Sequence, residues 1–203
     1  MNDLKFEHRF VRGNVLGAGP LLLLHGTGGN ESDMLSMGHS LDPGAALLSP
    51  RGRVMENGMP RFFRRYAEGV FDEEDIMFRA HELADFILAA GNTYGFTVPL
   101  IAVGYSNGAN IAHAILLLRP EILSAAVLFR PMVIFSNPAA ADLRGKRILI
   151  SAGQNDPIVP PENAERLAGL LKASGAAVTF RLQEASHGLI NDDLALAKTW
   201  FGT

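Results

Sequence analysis

The stretch Leu100-Ile101-Ala102-Val103-Gly104-Tyr105-Ser106-Asn107-Gly108 carries the strongest structural signal in this chain. Its first four residues are apolar and predict a buried strand, and the apolar run 109–118 predicts a buried helix directly afterwards. Ser106 stands at the bend between them with glycine two places to either side, which is typical of a nucleophile elbow. The bend strains the serine backbone, and side chains at the glycine positions would collide with the neighbouring strand and helix. Because Gly-x-Ser-x-Gly also occurs by chance, the interpretation requires partners elsewhere in the chain.

Length, composition and charge restrict the class of protein. A chain of 203 residues with 48% hydrophobic residues fits one ordered globular domain, residues 1–203. The net charge of -3 gives no electrostatic case for binding nucleic acid or an anionic membrane. The absence of cysteine excludes disulfides, thiolate metal sites and a cysteine nucleophile. No signal peptide and no apolar run near the ~20 residues that span a bilayer are visible, so we expect a cytoplasmic protein without metal or cofactor.

Strands and helices alternate from Leu21 onward. Apolar runs predict strands at 21–24, 45–48, 100–103, 124–129, 147–151 and, with alternation, 178–182, after a weak edge-strand signal at 4–11. Helices are predicted from Asp72 to a stop at Gly91, from 109 to 118, from Pro160 to Gly175 and from 189 to 201, and 51–70 is predicted to be irregular. This order predicts an α/β fold with a mostly parallel, doubly wound sheet. The connection 130–145 is too short for a helical cap domain.

A serine nucleophile needs a base, and His187 is the histidine whose position fits. It lies between the last predicted strand and the last predicted helix, and the carboxyl ends of parallel strands are where sites form in such sheets. His113 lies inside the central helix and is expected to pack in the core, and His25 is expected to make structural hydrogen bonds. A loop histidine with no catalytic role is the alternative for His187.

The carboxylate that orients the histidine should follow another strand. Asp156 follows the strand 147–151, whereas Asp142 precedes it and lies at the wrong end of the sheet. The alternative role for Asp156 is to initiate the Pro157 turn or to cap the next helix. The chain order of Ser106, Asp156 and His187 is then nucleophile, acid and base.

An oxyanion hole completes this chemistry. One donor should be the backbone N–H of Asn107, at the positive end of the central helix. The other should come from the glycine-rich loop after the first core strand, with Thr27 the first choice and Gly28 the second. The same loop has neither the lysine of a P-loop nor the spacing of a dinucleotide fingerprint, which disfavours a phosphate cradle.

Together these residues resemble the α/β-hydrolase superfamily, and within it the phospholipase/carboxylesterase family of small bacterial serine esterases. The resemblance is carried by Leu24-His25-Gly26-Thr27-Gly28-Gly29-Asn30-Glu31, by Gly153-Gln154-Asn155-Asp156-Pro157-Ile158-Val159-Pro160 and by Ser186-His187-Gly188. Many members have glutamine where this chain has Asn107. The segment Ser49-Pro50-Arg51-Gly52 with Asn57-Gly58 and Phe62-Phe63 is similar to a subgroup linked to hydroquinone-related hydrolases. The resemblance implies an α/β-hydrolase fold without a cap, hydrolysis of small-molecule esters and, since small members are often dimers, a homodimer.

The segment 51–70 follows the carboxyl end of the strand predicted at 45–48, so it lies on the catalytic side of the sheet. It is therefore the expected source of substrate contacts. Met55, Phe62 and Phe63 could line an acyl or aryl pocket, with simple packing as the alternative. The five arginines between Arg51 and Arg65 suit either an anionic substrate or, as we expect, ion pairs with nearby acids such as Glu68 and 72–75. The sequence thus predicts a serine carboxylesterase. Thioesterase or lactone hydrolase activity with the same machinery, and a non-catalytic binding protein, are the alternatives.

Overall fold

A computed structural model describes residues 4–14, 19–138 and 140–202. The strands are β1 His8–Val11, β2 Leu21–Leu24, β3 Leu47–Pro50, β4 Val54–Glu56, β5 Met59–Arg61, β6 Arg65–Ala67, β7 Val70–Phe71, β8 Leu100–Tyr105, β9 Leu123–Phe129, β10 Arg147–Gly153 and β11 Ala177–Gln183. The helices are α1 Leu35–Leu41, α2 Glu73–Tyr94, α3 Asn107–Leu118, α4 Pro161–Ala173 and α5 Asn191–Phe201. Among the described residues, no helix combines the length and the apolar character needed to cross a membrane.

Seven of the strands form one twisted sheet in the order β1-β3-β2-β8-β9-β10-β11. The edge strand β1 pairs antiparallel with β3, and every other neighbouring pair in this sheet is parallel. Strand β8, which leads into Ser106, therefore lies at the centre of the sheet. The predicted mostly parallel α/β sheet and the predicted edge strand near the amino terminus are both confirmed.

Helices cover both faces of the sheet, which is what buries the central strands completely. In β2, Leu22 and Leu24 belong to the core that contains α2, α3 and α4, whereas Leu21 and Leu23 belong to the core that contains α1 and α5. Alternate side chains of a strand point to opposite faces, so a strand buried on both faces is apolar throughout. The unbroken run of four leucines is the sequence signature of that arrangement.

Several predicted boundaries were wrong by two residues or more, and two of them are informative. Helix α2 continues through Gly91 and ends at Gly95, whose φ of 79° is the left-handed conformation that closes many helices. Gly91 is instead a close-packing site, because a Cβ there would lie 2.8 Å from the backbone oxygen of Phe96. The strand predicted at 45–48 begins and ends two residues later, at Leu47–Pro50.

The segment 51–70 was predicted to be irregular but forms two short hairpins, β4–β5 and β6–β7. The first hairpin turns at Asn57 and Gly58, whose φ values of 51° and 79° both lie in the left-handed region. Such a two-residue turn strongly favours Asn-Gly. The signal for this hairpin was therefore present in the sequence.

Candidate active site

The bend at Ser106 has the strained geometry that the motif requires. Ser106 has φ 51° and ψ -115°, and its N–H donates to the carbonyl of Phe129 on the neighbouring strand at 2.8 Å. A Cβ on Gly104 would lie 2.6 Å from the carbonyl oxygen of Gly108, and one on Gly108 would lie 2.0 Å from that of Leu24. Both glycines are thus required by close backbone contact, which confirms the predicted steric reason for them.

The structure brings Ser106, His187 and Asp156 together at the carboxyl ends of β8, β11 and β10. The Oγ of Ser106 lies 2.9 Å from Nε2 of His187, and Nδ1 of His187 lies 2.8 Å from Oδ2 of Asp156. A carboxylate can only accept, so Nδ1 carries the proton and Nε2 presents its lone pair to the serine hydroxyl. This tautomer can take a proton from Ser106, which is the first requirement of nucleophilic catalysis by serine.

Asp156 is held by its own loop. Its side chain is fully buried, and its Oδ1 accepts the N–H groups of Ile158 and Val159 at 2.8 and 3.0 Å. The turn-forming role that was the alternative for Asp156 is therefore present together with the contact to His187, because the two carboxylate oxygens face different partners. One oxygen anchors the loop and the other orients the imidazole.

Two backbone donors are available for an oxyanion, one in the glycine-rich loop after β2 and one at the start of α3. Among the described residues, neither the backbone N–H of Thr27 nor that of Asn107 donates a hydrogen bond. The N–H of Gly28, which was the second choice, donates instead to the carbonyl of Pro60 at 2.9 Å. A second contact also holds the loop, because Arg61 Nη1 donates to the Thr27 hydroxyl at 2.9 Å. These contacts favour Thr27 over Gly28 as a donor.

Two further histidines have the structural positions that the sequence suggested. His25 is buried, its Nε2 accepts the N–H of Gly52 at 2.9 Å, and its Nδ1 lies 2.7 Å from the carbonyl of Gly26. Burial lowers the pKa of His25, so the ring stays neutral and can keep accepting from Gly52. His113 is buried inside α3, and burial lowers its pKa to about 4 against the opposing hydrogen bond to the Met132 backbone.

The residues proposed to line a substrate pocket do not come together. Phe62 and Phe63 are buried in the hydrophobic core, where Phe62 packs on His25 and Phe63 on Phe71. Met55 is 62% exposed and lines a different cleft with Lys5 and Arg51. The packing alternative therefore describes both phenylalanines, which directly follow the first hairpin and join the hydrophobic core. Asn107 secures this arrangement, since its side-chain oxygen accepts the N–H of Phe62 at 2.7 Å.

The arginines of segment 51–65 are all ion-paired. Their partners are Glu7 and Glu31 for Arg51, Glu82 for Arg53, Glu56 for Arg61, Asp72 and Asp75 for Arg64, and Glu56 and Glu68 for Arg65. The expected ion pairing is therefore present, although several of the acids come from outside the predicted cluster. These pairs leave the segment without a free cationic surface for an anionic substrate.

A groove of about 390 Å³ runs along the oxyanion loop. Besides that loop, the groove is lined by Asp33, Met34, Met37, Tyr105 and Leu189. Sequence reasoning missed all of these residues. Tyr105 and Leu189 stand within two residues of Ser106 and His187, so proximity to the motifs was the available signal. Met34 and Met37 belong to the region of α1, a helix that the apolar pattern did not predict.

Comparison with known proteins shows that the chain is similar to hydrolases. A model of the dienelactone hydrolase family matches residues 77–198. The hydrolase MhqD of Bacillus subtilis (strain 168) is 47% identical over 182 residues, which are 89% of this chain and 91% of that protein. The crystal structure of a Bacillus cereus carboxylesterase superposes with a TM-score of 0.95 at 45% identity and covers 98% of this chain and 94% of its own. A Mesorhizobium loti carboxylesterase superposes with a TM-score of 0.90 at 33% identity, over 100% and 97% of the two chains.

Proposed function

This chain belongs to the dienelactone hydrolase family and is a hydrolase with the α/β-hydrolase fold, and we propose that it is a carboxylesterase that acts through Ser106, His187 and Asp156. The observation that carries the proposal is the continuous hydrogen-bonded series from the Ser106 hydroxyl through His187 to Asp156, at 2.9 and 2.8 Å, on a strained elbow. The resemblance to two carboxylesterase structures over nearly the whole chain supports the same activity.

The acylation half of the reaction follows from the geometry. Nε2 of His187 takes the proton of Ser106 as Oγ attacks the ester carbonyl carbon, and Asp156 stabilises the imidazolium that forms. The carbonyl oxygen becomes an oxyanion that accepts the N–H groups of Thr27 and Asn107. The carbon–oxygen bond to the alcohol then breaks. The alcohol leaves with the proton from His187, and the acyl group remains on Ser106.

Deacylation uses the same groups. His187 takes a proton from a water molecule, whose oxygen attacks the acyl carbon and again produces an oxyanion between Thr27 and Asn107. The bond to Oγ breaks, Ser106 recovers its proton from His187, and the carboxylic acid leaves. The chain's own residues supply each proton transfer, and the cycle returns the triad to its starting state.

The groove indicates the size of the substrate. Its volume of about 390 Å³ is at the lower end of the range of small-molecule sites, and Met34, Met37 and Leu189 make its walls largely apolar. Asp33, which also lines the groove, disfavours an anionic group by charge repulsion. We expect neutral esters with small or medium acyl or aryl groups to be the preferred substrates.

The test is a panel of 4-nitrophenyl esters of increasing acyl length, with Ser106→Ala as the control variant. Turnover by the wild type and its loss in Ser106→Ala, together with loss of labelling by a fluorophosphonate probe, is the expected result. Turnover that persists in Ser106→Ala overturns the nucleophile assignment. A wild type that neither turns over the panel nor takes up the probe overturns the esterase proposal in favour of a non-catalytic binding protein.

Lactone hydrolysis is a second candidate, because the family to which the chain belongs is named for a lactone substrate. A lactone is a cyclic ester and uses the same steps, except that the alcohol stays attached to the acyl group. Small lactones and acyl thioesters therefore join the panel. The ratio of their kcat/KM values to those of open-chain esters of equal carbon number decides which class the groove prefers.

A further inference from the structure

We propose that Arg130 and Tyr105 position His187 by binding the backbone carbonyls of three consecutive residues, Ser186, His187 and Gly188. We call these two side chains the carbonyl clamp. The proposal rests on the proposed role of His187 as the base, and it concerns how that base is held. The loop that carries His187 lies between the end of β11 at Gln183 and the start of α5 at Asn191, so no regular ladder of hydrogen bonds fixes its place.

The contacts bracket the histidine. Nε of Arg130 donates to the carbonyl of Ser186 at 3.0 Å, and Nη2 of Arg130 donates to that of Gly188 at 3.0 Å. The Tyr105 hydroxyl donates to the carbonyl of His187 itself at 3.2 Å. The backbone on both sides of the imidazole is thereby tied to the ends of strands β8 and β9, next to Ser106. The distance from His187 Nε2 to Ser106 Oγ therefore depends on the side chains of Arg130 and Tyr105, which contact the His187 loop at the carboxyl ends of the strands.

Arg130 is held rigidly enough to serve as a reference point. Besides the two loop carbonyls, its guanidinium donates from Nη1 to the Ser151 carbonyl at 3.1 Å and from Nη1 and Nη2 to the two carboxylate oxygens of Asp193 at 2.9 and 2.7 Å. A guanidinium has five N–H donors, so each of them has an acceptor here. Asp193 also accepts the Ser151 hydroxyl at 2.6 Å and the N–H of Ile190 at 2.9 Å.

Stability alone does not account for this arrangement. Arg130 and Asp193 have side-chain exposures of 0% and 1%, and a fully buried ion pair is often no more stabilising than well-packed apolar residues of the same size. Arg130 also has a positive φ of 53°, a conformation that costs free energy in a residue with a side chain. Among the described residues, the other non-glycine residues with positive φ are Asn57 at a hairpin turn and Ser106. A strained residue whose donors converge on the His187 loop and its supports fits a positioning role.

Two variants test the clamp. Arg130→Lys keeps the charge but lacks the planar fork, so it cannot reach Ser186, Gly188 and Asp193 together. We expect kcat to fall about 10²-fold with KM within about twofold, because misplacement of a catalytic group by ~1 Å has an effect of this size. Tyr105→Phe keeps the ring beside His187 and removes only the hydroxyl, and we expect kcat to fall about fivefold, as for one lost hydrogen bond. Arg144→Lys, at an exposed ion pair with Asp142, is the matched control and should leave kcat unchanged.

A second readout separates positioning from a general structural effect. Nδ1–H of His187 donates a hydrogen bond to Asp156, so its proton should give a downfield NMR signal that can be assigned by its loss in His187→Gln. We expect this signal to shift or broaden in Arg130→Lys and Tyr105→Phe while the circular dichroism spectrum is unchanged, and to stay in place in Arg144→Lys. If Arg130→Lys does not fold, Tyr105→Phe decides by itself.

The outcomes are distinguishable from those of the esterase proposal. An unchanged signal and unchanged kcat in the folded clamp variants overturn the clamp. Full turnover in Ser106→Ala overturns the proposed function, and the NMR signal then still reports whether Arg130 and Tyr105 hold His187.

Discussion

Gly108 offers a sharp test of the elbow, because a single methyl group should disable it. Gly108 lies in the first turn of α3. A Cβ added there would lie 2.0 Å from the Leu24 carbonyl oxygen and 2.6 Å from that of His25, and both obstacles are backbone. Since ordinary contact begins at 3.4 Å, α3 and the end of β2 would have to separate by about 1.4 Å. That movement would pull the Asn107 N–H away from the Thr27 N–H in the adjacent loop.

Two opposing effects determine how much Gly108→Ala changes the free energy of unfolding. Alanine favours a helix over glycine by about 1 kcal/mol. Overpacking against backbone costs about 1 to 3 kcal/mol, and no side chain here can rotate away to relieve it, so the upper part of that range applies. We expect the free energy of unfolding to fall by about 1 to 2 kcal/mol and Tm by about 2 to 8 °C. We expect kcat/KM for 4-nitrophenyl butyrate to fall about 10²-fold, since the donors and the nucleophile lose their alignment.

Gly169→Ala is the matched control. Gly169 lies in α4, is exposed, and has open space where a Cβ would stand, with no neighbouring atom within 4 Å. The same substitution should therefore stabilise the protein by up to about 1 kcal/mol and leave kcat/KM unchanged. Wild-type turnover and an unchanged Tm in Gly108→Ala would refute the argument that backbone contact, and not chance, places glycine after the nucleophile.

Three further predictions concern the base, the core and the groove. Asp156→Asn should lower kcat about 10⁴-fold with little change in KM in steady-state assays, because an amide does not hold His187 in the required tautomer. The folded-state pKa of His113 is about 4 against an ordinary value of 6.5, so its contribution to stability is full above pH 6.5 and is lost as pH falls toward 4. Chemical denaturation should show that between pH 7 and pH 5 the wild type loses about 2 kcal/mol that His113→Asn does not lose. Met37→Trp should narrow the groove and reduce kcat/KM for octanoate relative to acetate esters about tenfold or more, and an unchanged ratio would place the acyl group elsewhere.

Most of the sheet could be predicted from the sequence because its signals are local. Four leucines in β2 and the apolar start of β8 identify strands buried on both faces, and the turn chemistry after each strand identifies its carboxyl end. The predicted helix end at Gly91 was wrong because Gly91 and Gly95 are only four residues apart, and either glycine could end the helix by sequence alone. Only the approach of Phe96 to Gly91 distinguishes a glycine needed for packing from one needed for a left-handed turn.

The candidate triad could be placed from chain order, because parallel strands bring their carboxyl ends to one edge whatever the distance along the chain. Ser106 and His187 are 81 residues apart and their side chains lie within 2.9 Å. The substrate-lining residues could not be placed in this way. An apolar side chain in a connecting segment has the same pattern whether it faces the groove or the core, and Phe62 and Phe63 face the core.

Sequence patterns were sufficient for the α/β order, the strained serine between two obligatory glycines, and the strand ends at which Asp156 and His187 had to lie. These features depend on hydrophobic period and turn chemistry, which act over a few residues. The folded structure was needed to show that Met34 and Met37 wall the groove, that the arginines of 51–65 are paired, and that Arg130 contacts the His187 loop. Arg130 and Asp193 are 63 residues apart, and nothing local distinguishes their pairing from any other between an arginine and an aspartate. Such contacts form only when elements distant in the chain pack together, because a buried charge without a partner costs a large amount of free energy.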